Sequence, residues 1–426
     1  MRVLWFSPTP CGSIRRTHDH VTVGGWLISL EDQIRLLPEM YLSVAYFSEK
    51  TEPPFDFDGV KYYPICGNIL NANNGINRIR ERFLSQKRKD DKVLPLMLDV
   101  VSQSQPDIIH IHGTEGAFGL IAEHITNIPI VFSIQGMIAP YKEMYFAGIP
   151  QSIAYKYDSL TDQVQGVGIR NQYISFCYRA EREKVFLSNA QYIFGRTFWD
   201  AYCTVALNPI RKYYTVNEML RPVFYEKTWK GSISKSKLKV VSTISGGIYK
   251  GMETVLKTAS LLKQYGGLDF EWHIVGYDVS TKWVHICEKM TGVNAADCNI
   301  LFHGRIDAGL LSDLLCESDI YAHVSHIENS PNSVCEAMLL GMPVIASYAG
   351  GTASLLQDEV EGKLVQDGDP YVLAGAIIDF WQHSEKSTRY AAAARQRALV
   401  RHDKKRIISE LLEGYGNILN DFNSKH

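Results

Sequence analysis

"HIENSPNSVCEAMLLGMPVIASYAGGTASLL", His326–Leu356, decides how the chain is read, because two glutamates, Glu328 and Glu336, stand either side of a Ser-Pro-Asn-Ser helix start. Ser330 is a good N-cap and Pro331 fits the first helical position, where its missing N–H costs nothing, so a helix is expected from near Pro331. Val334, Ala337, Met338 and Leu340 supply its apolar face, Gly341 sits where a left-handed C-cap belongs, and Pro343 forbids continuation. "PVIAS" reads as a buried strand, Gly350 and Gly351 as the turn that ends it, and "TASLLQ" as the restart of a helix. Glu328 then falls in the loop after the strand "IYAHVS", and Glu336 lies one to two turns into the helix. In open α/β sheets that rim is where ligands bind.

The same alternation extends outward in both directions. "RVLWF", "YLSVAYF", "DIIHIHG", "IPIVFSI" and "AQYIFG" are short, β-rich and often continuously apolar, as parallel strands covered on both faces are. The pattern breaks at "EKTWKGSISKSK", residues 226–237, and resumes with "LKVVSTIS", "FEWHIVG", "NILFHG", "IYAHVS" and "PVIAS". At 426 residues the chain exceeds one ordinary hydrophobic core. Two parallel-sheet α/β domains facing a cleft are expected, divided near residues 222–237. The final helical stretch, "KKRIISELLEGYGNIL", lies beyond the last strand signal and is a candidate to pack back toward the first domain.

Composition narrows the class. A 46% apolar and 21% charged chain is that of a soluble globular protein, and a net charge of -2 argues against nucleic acid as an obligate partner. The eight cysteines show neither C-x-x-C pairs nor His/Cys ligand spacing, which fits a reduced, cytoplasmic chain without structural zinc. "MRVLWFSPTP" enters a strand directly rather than a signal peptide, and no apolar run reaches the roughly 20 residues that span a bilayer. The expected location is the cytoplasm, free or at the inner face of the membrane.

With these residues in view, the chain resembles a retaining family 4 glycosyltransferase of the GT-B fold, similar to bacterial polysaccharide-biosynthesis members. The resemblance rests on Glu328 and Glu336 at the E-x7-E spacing followed by "AMLLGMPVIASYAGG", on "YKGMETVLKTASLL" from Tyr249, and more weakly on "PDIIHIHG" and "TVGGWLISLEDQI". It implies an acceptor-side Rossmann-like domain in residues 1–225, a donor-side Rossmann-like domain in 226–400, and a C-terminal helix in 401–426. It also implies that Glu328 contacts donor-sugar hydroxyls and Glu336 the nucleotide ribose. Carboxylates suit both tasks, since each accepts charge-assisted hydroxyl hydrogen bonds. Between them the helix start at Asn332 and Ser333 offers backbone N–H groups and a positive dipole end to a diphosphate. Lys250 would neutralise the departing diphosphate; the alternative is a solvent-facing lysine at a helix start.

Two positions depart from the family pattern. Ser245 stands where an arginine is common, so either Ser245 and Gly246 offer backbone amides or another cation serves, with Arg305 and Arg196 as candidates that are equally readable as structural ion-pair arginines. Gln135 stands where a sugar-contacting histidine is usual; an amide still donates and accepts hydrogen bonds but does not titrate near neutrality. Gly24 and Gly25 would let backbone approach the diphosphate, or simply start a helix. His112 is either an active-site residue or a satisfied core histidine.

The resemblance implies sugar transfer from a nucleotide sugar, UDP-linked in preference to GDP-linked, to a glycan or lipid-linked acceptor, with retained configuration, no metal and no further cofactor. The alternatives are an epimerase of the same architecture and a non-catalytic sugar-nucleotide binder. An NAD-dependent oxidoreductase is disfavoured, because no strand ends in G-x-G-x-x-G with an acidic residue about 20 positions on. "INRIRERFLSQKRKDDKVLPLML", from Ile76, interleaves Arg78, Arg80, Arg82, Lys87, Arg88 and Lys89 with apolar residues, and is either a peripheral membrane contact or a solvated basic helix face diluted by Asp90 and Asp91.

Overall fold

The computed structural model describes residues 1–16, 25–67 and 86–425. Among these, the strands form two sheets, and the chain divides into two lobes. The first draws on Met1–Lys142, Asp158–Met219 and Lys404–His426, the second on Glu143–Tyr157 and Leu220–Asp403. The division differs from the sequence expectation in three places: residues 143–157 leave the first lobe for the second, residues 220–225 join the second lobe, and the segment returning to the first begins at 404 rather than 401.

The first sheet contains β1 (Arg2–Ser7), β2 (Tyr41–Ser48), β3 (Phe55–Phe57), β4 (Val60–Cys66), β5 (Ile108–His112), β6 (Ile130–Ser133), β7 (Tyr192–Gly195) and β8 (Lys212–Thr215), in the order β3-β4-β2-β1-β5-β6-β7-β8. All its described pairings are parallel except the β3–β4 hairpin. Period-2 alternation explains why β1 is apolar throughout. Val3 and Trp5 face one core with Ile407, Leu411, Tyr415 and Ile418 of the helix Lys404–Asn423. Leu4 and Phe6 face the other, with Val93 and Met97 of the helix Gln86–Ser104 and Phe186 of the helix Ile169–Asn189.

The second sheet contains β9 (Leu238–Thr243), β10 (Phe270–Val275), β11 (Ile300–Gly304), β12 (Ile320–His323), β13 (Val344–Ser347) and β14 (Lys363–Val365), all parallel, in the order β11-β10-β9-β12-β13-β14. The crossovers after β9 and β12 carry the helices Met252–Tyr265 and Asn332–Leu340. Two local expectations around the latter need correction. Pro331, not Ser330, occupies the cap position; its backbone is extended (φ -66°, ψ 111°), no side chain caps the helix, and the helix starts at Asn332. "TASLLQ" yields only a 3-10 turn, Thr352–Ser354, because the Gly351 N–H is bound to the Glu328 carbonyl and the Gln357 N–H to the Glu361 carboxylate.

Among the described residues no helix is long and apolar enough to cross a membrane. Gly24 and the basic positions Arg78, Arg80 and Arg82 lie outside the described residues. Lys87 and Arg88 are exposed near the start of the helix Gln86–Ser104. Asp90 turns inward, ion-paired to Arg182 at 2.6 Å and accepting from the Tyr178 hydroxyl at 3.0 Å, so it does not dilute the basic face.

Candidate active site

In the second lobe, Lys250 ends the 3-10 turn Ile248–Lys250 that follows β9. Gly251 comes next in a left-handed conformation (φ 79°), and a Cβ there would collide with the carbonyl of Val324, so only glycine lets this turn lie against the end of β12. The close approach brings Lys250 Nζ onto Glu328 Oε1, which also accepts from Ser325 Oγ at 3.2 Å. The Glu328 carbonyl accepts from the Gly351 N–H at 2.8 Å, so backbone and side chain both hold this residue. Just beyond it, Asn332 and Ser333 open an uncapped helix, whose first N–H groups have no partner within the helix.

Glu336 lies on the next turn and is 4% exposed. Arg221 grips it in a bidentate pair, Nε–Oε1 and Nη2–Oε2 both at 2.8 Å. Burial raises the Glu336 pKa, against which the Arg221 charge and hydrogen bonds favour the carboxylate. Ser245 and Gly246 form an exposed loop after β9, and the Tyr277 hydroxyl donates to the Gly246 carbonyl at 3.2 Å. Arg305 is exposed after the edge strand β11, two strands from β9, the strand that leads into the Lys250 turn, and hence about 10 Å across the sheet at ordinary strand spacing.

The first lobe's rim is built differently. His112 ends β5, is 2% exposed and stacks edge-on to Trp5 at 4.6 Å; burial, His110 and Arg196 hold its pKa well below the ordinary histidine value. His110 Nδ1 and the Tyr415 hydroxyl are hydrogen-bonded at 2.7 Å, and Trp5 Nε1 donates to the same oxygen at 3.1 Å. Burial, then Arg196, push His110 down to about 3. Arg196, buried just after β7, lies over the Trp26 ring at 4.3 Å, with Nε 3.7 Å from Glu218. Gln135 follows β6 beside Gly113, and the neighbouring Gly136 N–H donates to Glu115 at 2.9 Å. Burial raises Glu115, and burial pushes Glu183 up to about 7 against hydrogen bonds from Thr114 and Ala139. Gly25 opens the helix Gly25–Ile34.

Sequence reasoning missed Arg221, and also His326 with its neighbours Glu253 and Asp367. Arg221 and Glu336 are 115 residues apart, and nothing in "MLRPVF" marks that pairing. His326 stood in the quoted stretch itself, two residues before Glu328, yet its partners come from the helix after β9 and from the segment after β14.

Two parallel-sheet lobes with polar groups gathered at the strand ends define an α/β protein of the GT-B fold class, and solved glycosyltransferases share it. A family model described as "Glycosyl transferases group 1" matches residues 237–383. The amylovoran biosynthesis glycosyltransferase AmsK of Erwinia amylovora is 26% identical over 188 residues, 41% of this chain and 44% of that relative. The chain covers less than two thirds of the length of the curated relatives it matches. Among solved structures, the sucrose-phosphate synthase of Thermosynechococcus elongatus superposes with a TM-score of 0.70 at 15% identity, over 99% of both chains. Anabaena HepE in complex with UDP-glucose superposes with a TM-score of 0.62 at 19% identity, over 98% of this chain and 100% of that one. At these identities the likeness is one of fold.

Proposed function

We propose that the protein is a glycosyltransferase that moves a sugar, with retained configuration, from a UDP-sugar to a hydroxyl of a glycan or lipid-linked acceptor in cell-surface polysaccharide or glycolipid assembly. The observation that carries this reading is the clustering of Lys250, Glu328 and the uncapped start of the helix Asn332–Leu340, with Glu336 one turn further on. A cation, free helix amides and two carboxylates match a diphosphate flanked by two polyhydroxyl groups. The family match over residues 237–383 and the biosynthetic role in the name of the relative from Erwinia support it.

In the reaction as proposed, the acceptor oxygen bonds to the anomeric carbon on the face from which the diphosphate leaves. The bond from that carbon to the phosphate oxygen breaks, and the departing diphosphate takes the acceptor's proton. Lys250 and the helix N–H groups stabilise the charge that develops on the leaving group, in place of a metal ion. Glu328 holds sugar hydroxyls, Glu336 the ribose, and Ser245 and Gly246 line the diphosphate. On the acceptor side Gln135 and His112 supply neutral hydrogen-bonding groups. The Lys250–Glu328 pair must loosen as the donor enters, which leaves Lys250 for the phosphate and Glu328 for the sugar.

The direct test is a thermal-shift screen of nucleotide sugars and nucleoside diphosphates, followed by turnover in chelator. Ligands that bind the native state alone raise its melting temperature. A rise with UDP and UDP-sugars, and turnover unaffected by chelator, is the expected result; no response to any nucleotide would refute the proposal. Lys87, Arg88 and Lys89 extend the proposal to a salt-sensitive contact with anionic membrane.

A further inference from the structure

The loop that carries Glu328 is tied down by a residue outside the proposed donor contacts. His326 is 4% exposed, and its backbone N–H donates to the Tyr249 carbonyl at 2.9 Å, next to Lys250. Its ring lies between two carboxylates: Nε2 is 2.7 Å from Glu253 Oε1 on the helix Met252–Tyr265, and Nδ1 is 3.2 Å from Asp367 Oδ2 just after β14. Glycines enclose it. A Cβ on Gly148, within the segment 143–157, would collide with both Glu253 Oε1 and His326 Nε2, and one on Gly368 would sit 3.1 Å from His326 Cε1.

We propose that His326 is a positioning residue which, as an imidazolium clasped between Glu253 and Asp367, fixes the Glu328 loop against the turn that carries Lys250. Ionised carboxylates only accept hydrogen bonds, so carboxylates on both ring nitrogens require both nitrogens to carry protons. A neutral ring satisfies one side and leaves a lone pair facing the other carboxylate. Burial lowers the His326 pKa, but the hydrogen bonds and charges of Glu253 and Asp367 outweigh it, and the net shift is upward. The other titratable groups around the clasp do not compete for its proton: Lys250 and Glu328 pair with each other, and burial keeps Tyr277 and Cys287, both within the field of Glu253, in their protonated forms.

The sign follows from the raised folded-state pKa. The clasp contributes fully below the unfolded histidine value and is lost as pH rises through the folded one. Catalytic turnover should therefore show an alkaline limb, while UDP affinity, which does not depend on the sugar contact of Glu328, stays level through it. His326→Gln should lower turnover roughly tenfold, the scale of a charged hydrogen bond, and remove the limb. Asp367→Asn is the rescue variant: its amide N–H serves Nδ1 of a neutral ring, so turnover at neutral pH survives and the limb disappears.

The role of His326 in turnover rests on the proposed transferase reading, whereas the clasp itself is read without activity. Imidazole NMR of the full chain should show His326 titrating above the ordinary histidine range, and the melting temperature of the wild type should fall as pH rises through that titration, unlike that of His326→Gln. A ring titrating at or below the ordinary value, superimposable melting profiles, or an alkaline limb of turnover unchanged in His326→Gln would each overturn the proposal. Failure of UDP-glucose and every other nucleotide sugar to turn over, with the NMR titration as expected, would count against the transferase reading instead.

Discussion

At the rim of the first sheet, burial presses titratable groups toward their neutral forms, His110 and His112 well below the histidine range and Glu183 up to about 7, with Arg196 beside Glu218 as the charged exception. At the rim of the second, burial of the same order leaves charges standing in pairs: Lys250 with Glu328, Arg221 with Glu336, and His326 between Glu253 and Asp367. The difference lies in what each buried group meets. In the first lobe a histidine meets Trp5, another histidine and a hydroxyl, none of which repays desolvation of a charge. In the second each acid meets a cation in hydrogen-bond contact. In the proposed reading the less charged rim serves the hydroxyl acceptor and the rim of exchangeable ion pairs serves the diphosphate, which takes over a cation already in place.

The largest expected effect comes from removing that cation. Lys250→Ala should lower turnover by about 100-fold, the usual scale for one preorganised group at a developing negative charge. Steady-state kinetics with UDP-glucose, or whichever donor the screen returns, would read it, and a change below threefold would mean the second rim's charge is structural only.

Next is Arg221→Gln, which leaves Glu336 buried without its partner. UDP affinity should weaken by roughly tenfold at neutral pH. Since burial already raises the Glu336 pKa, affinity in the wild type should fall on acidification at a higher pH than for an ordinary carboxylate, and the variant should move that fall higher still. Calorimetry across pH checks both. If the variant binds UDP more tightly, Arg221 blocks the ribose site rather than preparing it.

Glu183→Gln sharpens the comparison from the neutral side. A folded-state pKa raised to about 7 means that stability is present while the group is protonated and declines as pH rises through that value. An amide keeps both hydrogen bonds without the titration, so the variant should melt a few degrees higher at pH 8 and gain little at pH 5, given about 2–4 °C per kcal/mol in a domain of this size. Unchanged melting at pH 8 would show that Glu183 is ionised without cost. The smallest effect is expected at the basic helix start: Lys87, Arg88 and Lys89 all changed to Gln should weaken sedimentation with phosphatidylserine vesicles a few-fold at low salt and not at high salt. Equal binding of both proteins would remove the membrane contact from the account.

Much of the fold was legible because short, often continuously apolar runs state where parallel strands covered on both faces lie, and every strand quoted from the sequence is present in the structure. The β3–β4 hairpin went unread in the sequence, although Asp58-Gly59, two residues that both take positive φ, stands at its turn; β3 is only three residues long and β4 is interrupted by Lys61 and Pro64. The helix start at Asn332 moved by one residue, because the residue before a proline is pushed out of helical geometry and Pro331 is itself extended. The site was legible wherever one segment contains it, as with Glu328 and Glu336. It was opaque where partners come from distant crossovers. Arg305 and Arg196 read alike in the sequence, and only the fold separates them, setting Arg305 after the edge strand β11 and Arg196 over Trp26 beside Glu218. Arg221 and His326 gain their meaning only from Glu336, Glu253 and Asp367.

The central claim is that Glu328 and Glu336 bracket one nucleotide sugar at its two ends, and calorimetry with UDP on Glu328→Ala and Glu336→Ala, beside turnover of each, tests it most directly. Glu336→Ala should weaken UDP binding about tenfold or more, since a charged hydrogen bond is worth roughly 1.5–3 kcal/mol. Glu328→Ala should leave UDP binding intact, because UDP has no sugar to lose, while turnover falls steeply. UDP binding abolished in a folded Glu328→Ala protein, or left untouched by Glu336→Ala, would contradict the claim.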